Sequence, residues 1–285
     1  MSLKAFVVRD ASLSDELDLA YLLYYETSGR FIIELNPSVG EWDMPPILSS
    51  FLRRGTMTVD HYWSRIWVEQ RIIPPDRQNL GMILKEFHLK EYDPFSLLMI
   101  AKGKCSQDDC YLMPLKENAF PDELKERLRH KIRDVFKTSE DRILLAYFDG
   151  TVLPVEKTVL ESENSRLARL LSYHKGLSGL KLSPGGHGLE WNEDQYITEE
   201  QLRKAAGSGQ VTFSDILIFV KNNLISTGEA AAMLDCSRQN INDLVRRKKL
   251  FPVRREENNS LFLRSDIAAE IDRRGLRKSI HKTVT

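Results

Sequence analysis

Between Ser237 and Arg255 the chain gathers side chains of two kinds. Ser237, Arg238, Gln239 and Asn242 come first, and Arg246, Arg247, Lys248, Lys249, Arg254 and Arg255 follow. A guanidinium offers paired donors that match guanine, and a carboxamide offers a donor and an acceptor that match adenine. Lysine and arginine runs bind phosphate without reading sequence. The order of types therefore suits duplex recognition, with the first group meeting base edges and the second gripping the backbone. The bland alternative is a solvated basic face.

Such chemistry needs a rigid support, and the flanking sequence supplies one. Ser226 with Glu229 three residues later is a capping box. Ala230, Ala231, Met233 and Leu234 give a short apolar helix, and Asp235-Cys236 a corner. Ser237 caps a second helix whose Ile241, Leu244 and Val245 recur at helical spacing and turn inward. Arg238, Gln239, Asn242 and Arg246 then fall on other faces. Beyond a polar turn, Leu261-Phe262-Leu263 completes a small hairpin. Upstream, Phe213 to Asn223 reads as an apolar helix with Ser214 as its cap and Phe219 and Val220 inward.

Glu229-Ala230-Ala231, Leu234, Ser237-Arg238, Ile241, Leu244, Leu250, Pro252-Val253-Arg254 and Leu263-Arg264-Ser265-Asp266 together resemble the small winged helix-turn-helix of phage excisionases and MerR-type regulators. The likeness covers residues 224–271. It implies a second helix that enters the major groove N-terminal end first. Two positions depart from the pattern. Cys236 stands where the family has a branched aliphatic and is expected to pack as a small hydrophobe. Glu256-Glu257 place acid in the wing, close to where phosphates would lie.

Charge is distributed in keeping with this reading. Lysine plus arginine equals aspartate plus glutamate over the whole chain, at 41 each. From Lys221 onward there are 14 basic and 8 acidic residues, net +6, and the remainder carries 27 against 33, net −6. A basic C-terminal module on an acidic body fits a DNA-binding head with a separate partner or regulatory region. Three cysteines, an odd number, and the lack of a long apolar run point to a reducing cytoplasm and no membrane span.

The expected fold class is α+β and multidomain. Residues 1–120 form a mixed N-terminal region, 121–140 a linker helix, 141–206 a small α+β domain, 212–275 the winged helix-turn-helix, and 276–285 a basic tail. In the first region Lys4–Val8 reads as a strand and Leu19–Leu35 as a hairpin. Helices are expected over Ile47–Arg53, over Val59–Ile72 capped by Thr58, over Asp76–Phe87 and over Phe95–Ala101. Trp63 and Trp67 lie at i and i+4, a spacing that suits base stacking but more often core packing. Arg71 to Arg77 and Gly103 to Asp109 bear a faint likeness to an N-terminal segment of HipA-like toxin kinases, without any kinase catalytic motif.

Asp122–Val135 reads as one charged helix with Leu124, Leu128, Ile132 and Val135 inward. Arg142–Phe148, Asp149-Gly150 and Thr151–Val155 read as a hairpin. A helix near Ser165–Ser172, strands at Gly179–Leu182 and Leu189–Trp191, and a helix from Tyr196 follow. Phe148-Asp149-Gly150-Thr151 and Gly188-Leu189-Glu190-Trp191 resemble a small bacterial α+β domain family of unknown function, covering residues 142–202.

Other constellations carry less. Cys105 and Cys110 flank Asp108-Asp109, but a zinc site needs four good ligands, and the aspartates suit a backbone turn better. The loop Ser183 to Gly188 lacks both the Gly-Lys-Ser/Thr ending and the Gly-x-Gly-x-x-Gly spacing of phosphate loops, and reads as a turn. His174, His187 and Glu190 accompany no nucleophile motif. No catalytic residue, cofactor or metal ligand is assigned.

The expected function is that of a sequence-specific double-stranded DNA-binding transcriptional regulator, dimeric, autorepressing a mobile-element or toxin–antitoxin-type operon, with a protein partner on its acidic N-terminal region. The alternative is a protein-interaction protein, a neutraliser of a toxin or defence enzyme, in which the helix-turn-helix is only a scaffold.

Overall fold

A computed structural model describes residues 3–13, 17–116, 119–163, 165–177, 179–192, 195–207, 209–255 and 259–283, with side chains of the last helix described to residue 274. The chain is a mixed α+β protein that separates into two compact units, residues 1–128 and 129–285.

In the first unit the elements are β1 (Leu3–Asp10), β2 (Ala20–Tyr25), β3 (Arg30–Leu35), α1 (Pro46–Arg53), β4 (Thr58–Val59), α2 (His61–Glu69), α3 (Leu80–Glu86), α4 (Pro94–Ala101), β5 (Cys110–Leu115) and α5 (Asp122–Arg129). The five strands form an antiparallel sheet in the order β4-β3-β2-β1-β5. The expected hairpin forms with Tyr25 opposite Arg30, and Gly29 supplies the positive φ of 67° that its turn requires.

Both sheet faces are covered, so these strands are apolar on nearly every residue. Phe6, Val8, Leu22, Ile33 and Leu35 pack with Leu48, Phe51, Trp67 and Leu98 on one face. Ala5, Val7, Leu23 and Ile32 pack with Phe120 and Leu124 on the other. Trp67 is buried in the first core, whereas Trp63 sits half-exposed against the Phe51 edge, so packing claims one tryptophan of the pair.

Boundaries shift where a cap or a strand outcompetes helical periodicity. Thr58 joins β4, and Asp60 caps α2 by accepting from the Trp63 amide. The helix expected from Asp76 begins only at Leu80. Asp108 does turn the backbone, accepting from the Cys110 amide at 3.1 Å, and it also pairs with the buried Arg71.

The second unit holds β6 (Ile132–Lys137), β7 (Arg142–Tyr147), β8 (Val152–Glu156), α6 (Lys157–Glu163), α7 (Ser165–Tyr173), β9 (Lys181–Leu182), β10 (Gly188–Asn192), β11 (Gln195–Thr198), α8 (Glu199–Ala206), α9 (Phe213–Asn223), β12 (Leu224–Ser226), α10 (Thr227–Met233), α11 (Arg238–Arg246), β13 (Leu261–Leu263) and α12 (Arg264–Thr283). The continuous linker helix over 121–140 does not form. Leu124, Leu128 and Ile132 are spaced four apart, but the helix ends at Arg129 and Ile132 opens β6. A bulge between Ile132 and Asp134 lets Ile132 and Val135 face the same core despite their odd separation. The chain divides inside the expected linker, and β6 belongs to the sheet that follows.

Strands β6-β7-β8 and β11-β10-β9 make two small antiparallel sheets. Ile132, Ile143, Leu145, Tyr147 and Val155 share a core with Leu160, Leu167, Leu171, Leu189, Ile197 and Leu202. The segment expected to start a helix at Tyr196 first forms β11, and Thr198 then caps α8 through a reciprocal box with Gln201. The glycine-rich loop is a packing device: a Cβ on Gly186 would sit 1.9 Å from the Ile132 carbonyl oxygen, and one on Gly188 would sit 2.2 Å from that of Ile197. His174 stacks on Trp191 with centroids 4.4 Å apart and bonds Gln195, while His187 is buried. Helix α12 continues to Thr283, inside the stretch expected to be a basic tail.

Among the described residues no helix is long and apolar enough to cross a membrane, and no group of three or more His, Cys, Asp or Glu is placed to hold a metal ion. The three cysteines are free thiols.

Candidate nucleic-acid interface

The basic C-terminal residues stand on a small, well-braced module. Strands β12 and β13 pair antiparallel, Ile225 opposite Phe262, and both side chains are buried. Arg254 adds a bridge to Leu261, so the segment after α11 lies alongside β13. Beneath them Ala230, Ala231, Leu234, Ile241, Leu244, Leu250 and Ile267 form one apolar cluster. Cys236 packs against that cluster as a small hydrophobe, as expected.

Both short helices are fixed at their starts. The Ser226 hydroxyl accepts from the Glu229 amide at 3.3 Å, and the Glu229 carboxylate accepts from the Ser226 amide at 2.8 Å. Hydrogen bonds from the Ser226 amide and hydroxyl hold the Glu229 carboxyl below its ordinary range. Helix α10 closes with Asp235 in the left-handed region, φ 49°, which turns the chain sharply into the next cap. There the Ser237 hydroxyl accepts from the Asn240 amide at 3.2 Å. Lys248, φ 56°, ends α11 in the same way.

On α11 the inward positions are Ile241 and Leu244, with Val245 half-buried. Arg238, Asn242 and Arg246 follow one another at i, i+4 and i+8, and lie one above the other on the exposed side. Gln239 borders that stripe and is exposed too. Asn240 is likewise exposed. Ser237 is exposed, but its oxygen serves the helix cap, so its contribution to a ligand comes after that bond.

The charges are not equivalent. Arg238 leans back over the first turn of α10, where a Cβ on Gly228 would come 2.9 Å from its guanidinium. Arg246 bonds Asp243 at 2.7 Å on its own helix. Arg247, Lys248, Arg254 and Arg255 are exposed, and Lys249 is half-buried. Together they place a band of positive charge around the C-terminal end of α11 and the strand-like segment beyond it. The acidic pair Glu256-Glu257 lies outside the described residues.

No protein-family model, curated protein or solved structure matches the chain.

Four features of this module depart from what local residue patterns suggest. Arg264, quoted only as part of a motif, is a brace: its Nε donates to the Asn222 carbonyl at 3.1 Å and ties α12 to the end of α9. Phe251 and Val253 stand exposed between two basic runs, a Phe-x-Val signal visible once the flanking charges are noticed. Thr212, not Ser214, caps α9 in a reciprocal box with Asp215. Of the two α9 residues expected inward, Phe219 packs edge-on against Phe136 with centroids 4.7 Å apart, while Val220 is 44% exposed.

Proposed function

We propose that residues 224–271 are a winged helix-turn-helix and that the chain is a sequence-specific double-stranded DNA-binding transcriptional regulator. One observation carries the reading: the exposed stripe Arg238, Asn242, Arg246, with Gln239 beside it, lies on a helix followed at once by a cationic band. Base readers at the N-terminal part of a groove-entering helix and phosphate-binding residues around its far end is the division of labour that duplex recognition requires. In this reading Ser237, Arg238, Gln239 and Asn242 face base edges, and Arg246, Arg247, Lys248, Lys249, Arg254 and Arg255 hold phosphates.

The protein acts as a homodimer in the cytoplasm, with no catalytic step and no cofactor. The exposed apolar residues Phe213, Leu217 and Val220, at i, i+4 and i+7 on α9, support self-association next to the head. Control of its own mobile-element or toxin–antitoxin-type operon is the genetic setting that fits a small regulator with a second, acidic unit.

The test is binding of the full chain to randomised duplex DNA and to the DNA upstream of its own gene across a salt series. Neutralising about six phosphates gives a log–log slope near −5. Enrichment of an inverted repeat with such a slope is the expected result. Absence of duplex binding at low salt removes the reading.

A second reading has its own support. Arg246 is engaged by Asp243, and Phe251 and Val253 present apolar surface between the basic runs. Those features suit a protein partner, such as a toxin or defence enzyme neutralised by the chain, with the helical pair as scaffold. Salt-insensitive capture of such an enzyme, without duplex binding, selects it.

A further inference from the structure

The sheet β6-β7-β8 has two working faces. Ile143, Leu145 and Tyr147 point into the core, and the alternate residues Leu144 and Ala146 look the other way, toward α9. Between this second face and α9 lies a half-open cavity of about 400 Å³. Its wall is chiefly Phe136, Leu144, Ala146, Val152, Ile216 and Phe219. That volume lies within the range of sites for small organic ligands, and the lining is of the matching kind.

Side-chain contacts tie together the elements that flank the cavity. The Arg142 guanidinium grips the Asp215 carboxylate through two bonds, 3.2 and 3.0 Å, and pins the first turn of α9 to β7. Phe136 and Phe219 meet edge-on, and Arg133 reaches Asp266 at 3.6 Å. Between these props, Leu144 and Phe136 are buried while Val152 and Ile216 are 43% and 48% exposed, so the site has a closed floor and an apolar mouth.

Two charged residues line the wall, Asp134 and Arg133. Arg133 is paired with Asp266 at 3.6 Å, whereas Asp134 stands opposite Ala146 on the cavity side of β6, so its carboxylate is the group placed to accept from an amine N–H on a ligand. Burial raises the Asp134 carboxyl above its ordinary range.

The far wall belongs to the proposed DNA-reading module. Leu263, the last residue of β13, lines the cavity. Helix α9 passes directly into β12, which pairs with β13 and ends at Ser226, the cap of α10. A molecule wedged against Ile216, Phe219 and Leu263 therefore bears on the strands that carry α10 and α11.

The geometry points to this cavity as an effector site for a small, mainly apolar molecule carrying an amine, whose occupancy alters duplex binding by the adjoining module. The regulatory half of this statement rests on the DNA-binding reading; the site itself does not.

The probe is 1-aminoanthracene, a flat apolar amine whose fluorescence rises on leaving water, titrated into the full chain. Saturable binding at one site per chain is expected, with 1-anilinonaphthalene-8-sulfonate, an anion of similar size, binding at least tenfold more weakly. A146W fills the floor and V152K places a positive charge at the exposed mouth; each lowers 1-aminoanthracene affinity at least tenfold. V152K alters an exposed position, so it remains informative if A146W fails to fold. Binding without saturation, equal binding of the anion, or binding untouched by V152K in a folded protein overturns the site. Saturation that leaves duplex affinity unchanged overturns its regulatory role. A chain that binds the amine but no duplex at any salt retains the site and loses the regulator.

Discussion

Charge is used in opposite ways in the first unit and in the C-terminal module. In the first, Glu34 is wholly buried on the sheet face covered by α5, where Arg127 bonds its carboxylate and two backbone carbonyls, and Thr58 donates to it at 3.0 Å. Arg71 lies buried against the Trp67 ring, 3.5 Å from its centroid, and pairs with Asp108. In the C-terminal module Arg238, Arg247, Lys248, Arg254 and Arg255 are exposed on a small scaffold. A buried charge with its partners satisfied is committed to the fold, because removing either member strands the other out of water. An exposed array has little to contribute to folding, since surface pairs contribute about 0–1 kcal/mol, and it faces solvent, where a ligand can reach it.

The largest expected effect tests the committed side. Arg127→Ala leaves the Glu34 carboxylate buried without its guanidinium, and the first unit should lose about 3–5 kcal/mol in urea unfolding. A loss below about 1 kcal/mol would show that the pair does not behave as a buried one. The second effect tests the available side. Arg238→Ala should reduce discrimination at one base position by about 1–3 kcal/mol in a selection on duplex DNA, with thermal stability unchanged. If site choice is unaffected, Arg238 does not read bases.

An intermediate case joins two elements within the second unit. Asp215 is buried, which raises its affinity for a proton, but the Thr212 amide and hydroxyl and the Arg142 guanidinium outweigh this and hold its carboxyl below the ordinary range. A depressed folded-state value means that its contribution to stability is present above the unfolded value, about 3.9, and is lost as pH falls through the folded one. Asp215→Asn should therefore be less stable than wild type at neutral pH, and the gap should close as pH drops below about 4. Urea midpoints measured at neutral and acidic pH check this; a gap that stays constant with pH would mean that the carboxylate charge is not what holds α9 to β7.

The same contrast explains what was legible from sequence. Short-range chemistry could be read directly. The Ser226–Glu229 box, the Ser237 cap, the inward Ile241 and Leu244 and the Tyr25–Arg30 hairpin all form where residue types within five positions dictate them. The failures arise where distant chain decides. Ile132 satisfies a helical repeat with Leu124 and Leu128, and only its pairing with Tyr147 makes it a strand residue. β5 pairs with β1 across a hundred residues and gave no alternating pattern of its own. The exposed band of the candidate interface was readable because a short amphipathic helix shows its outer face by exclusion. The cavity was not, since Leu144, Phe219 and Leu263 have nothing in common until the sheet and α9 bring them together.

The smallest expected effect separates phosphate binding from base reading within the exposed array itself. Arg247 ends α11 and is exposed, so Arg247→Ala should leave folding untouched and weaken binding to every duplex by a similar factor. Its signature is the salt dependence. Loss of one phosphate contact should make the log–log slope shallower by about 0.9, with the preferred site unchanged. Together with Arg238→Ala, which should change the site but hardly the slope, this forms a double dissociation. If both variants shift the slope alone, α11 lies along the backbone and the bases are read elsewhere. If neither moves it, the positive band is the solvated face of a protein-binding scaffold, and the exposed Phe251 and Val253 become the residues to substitute next.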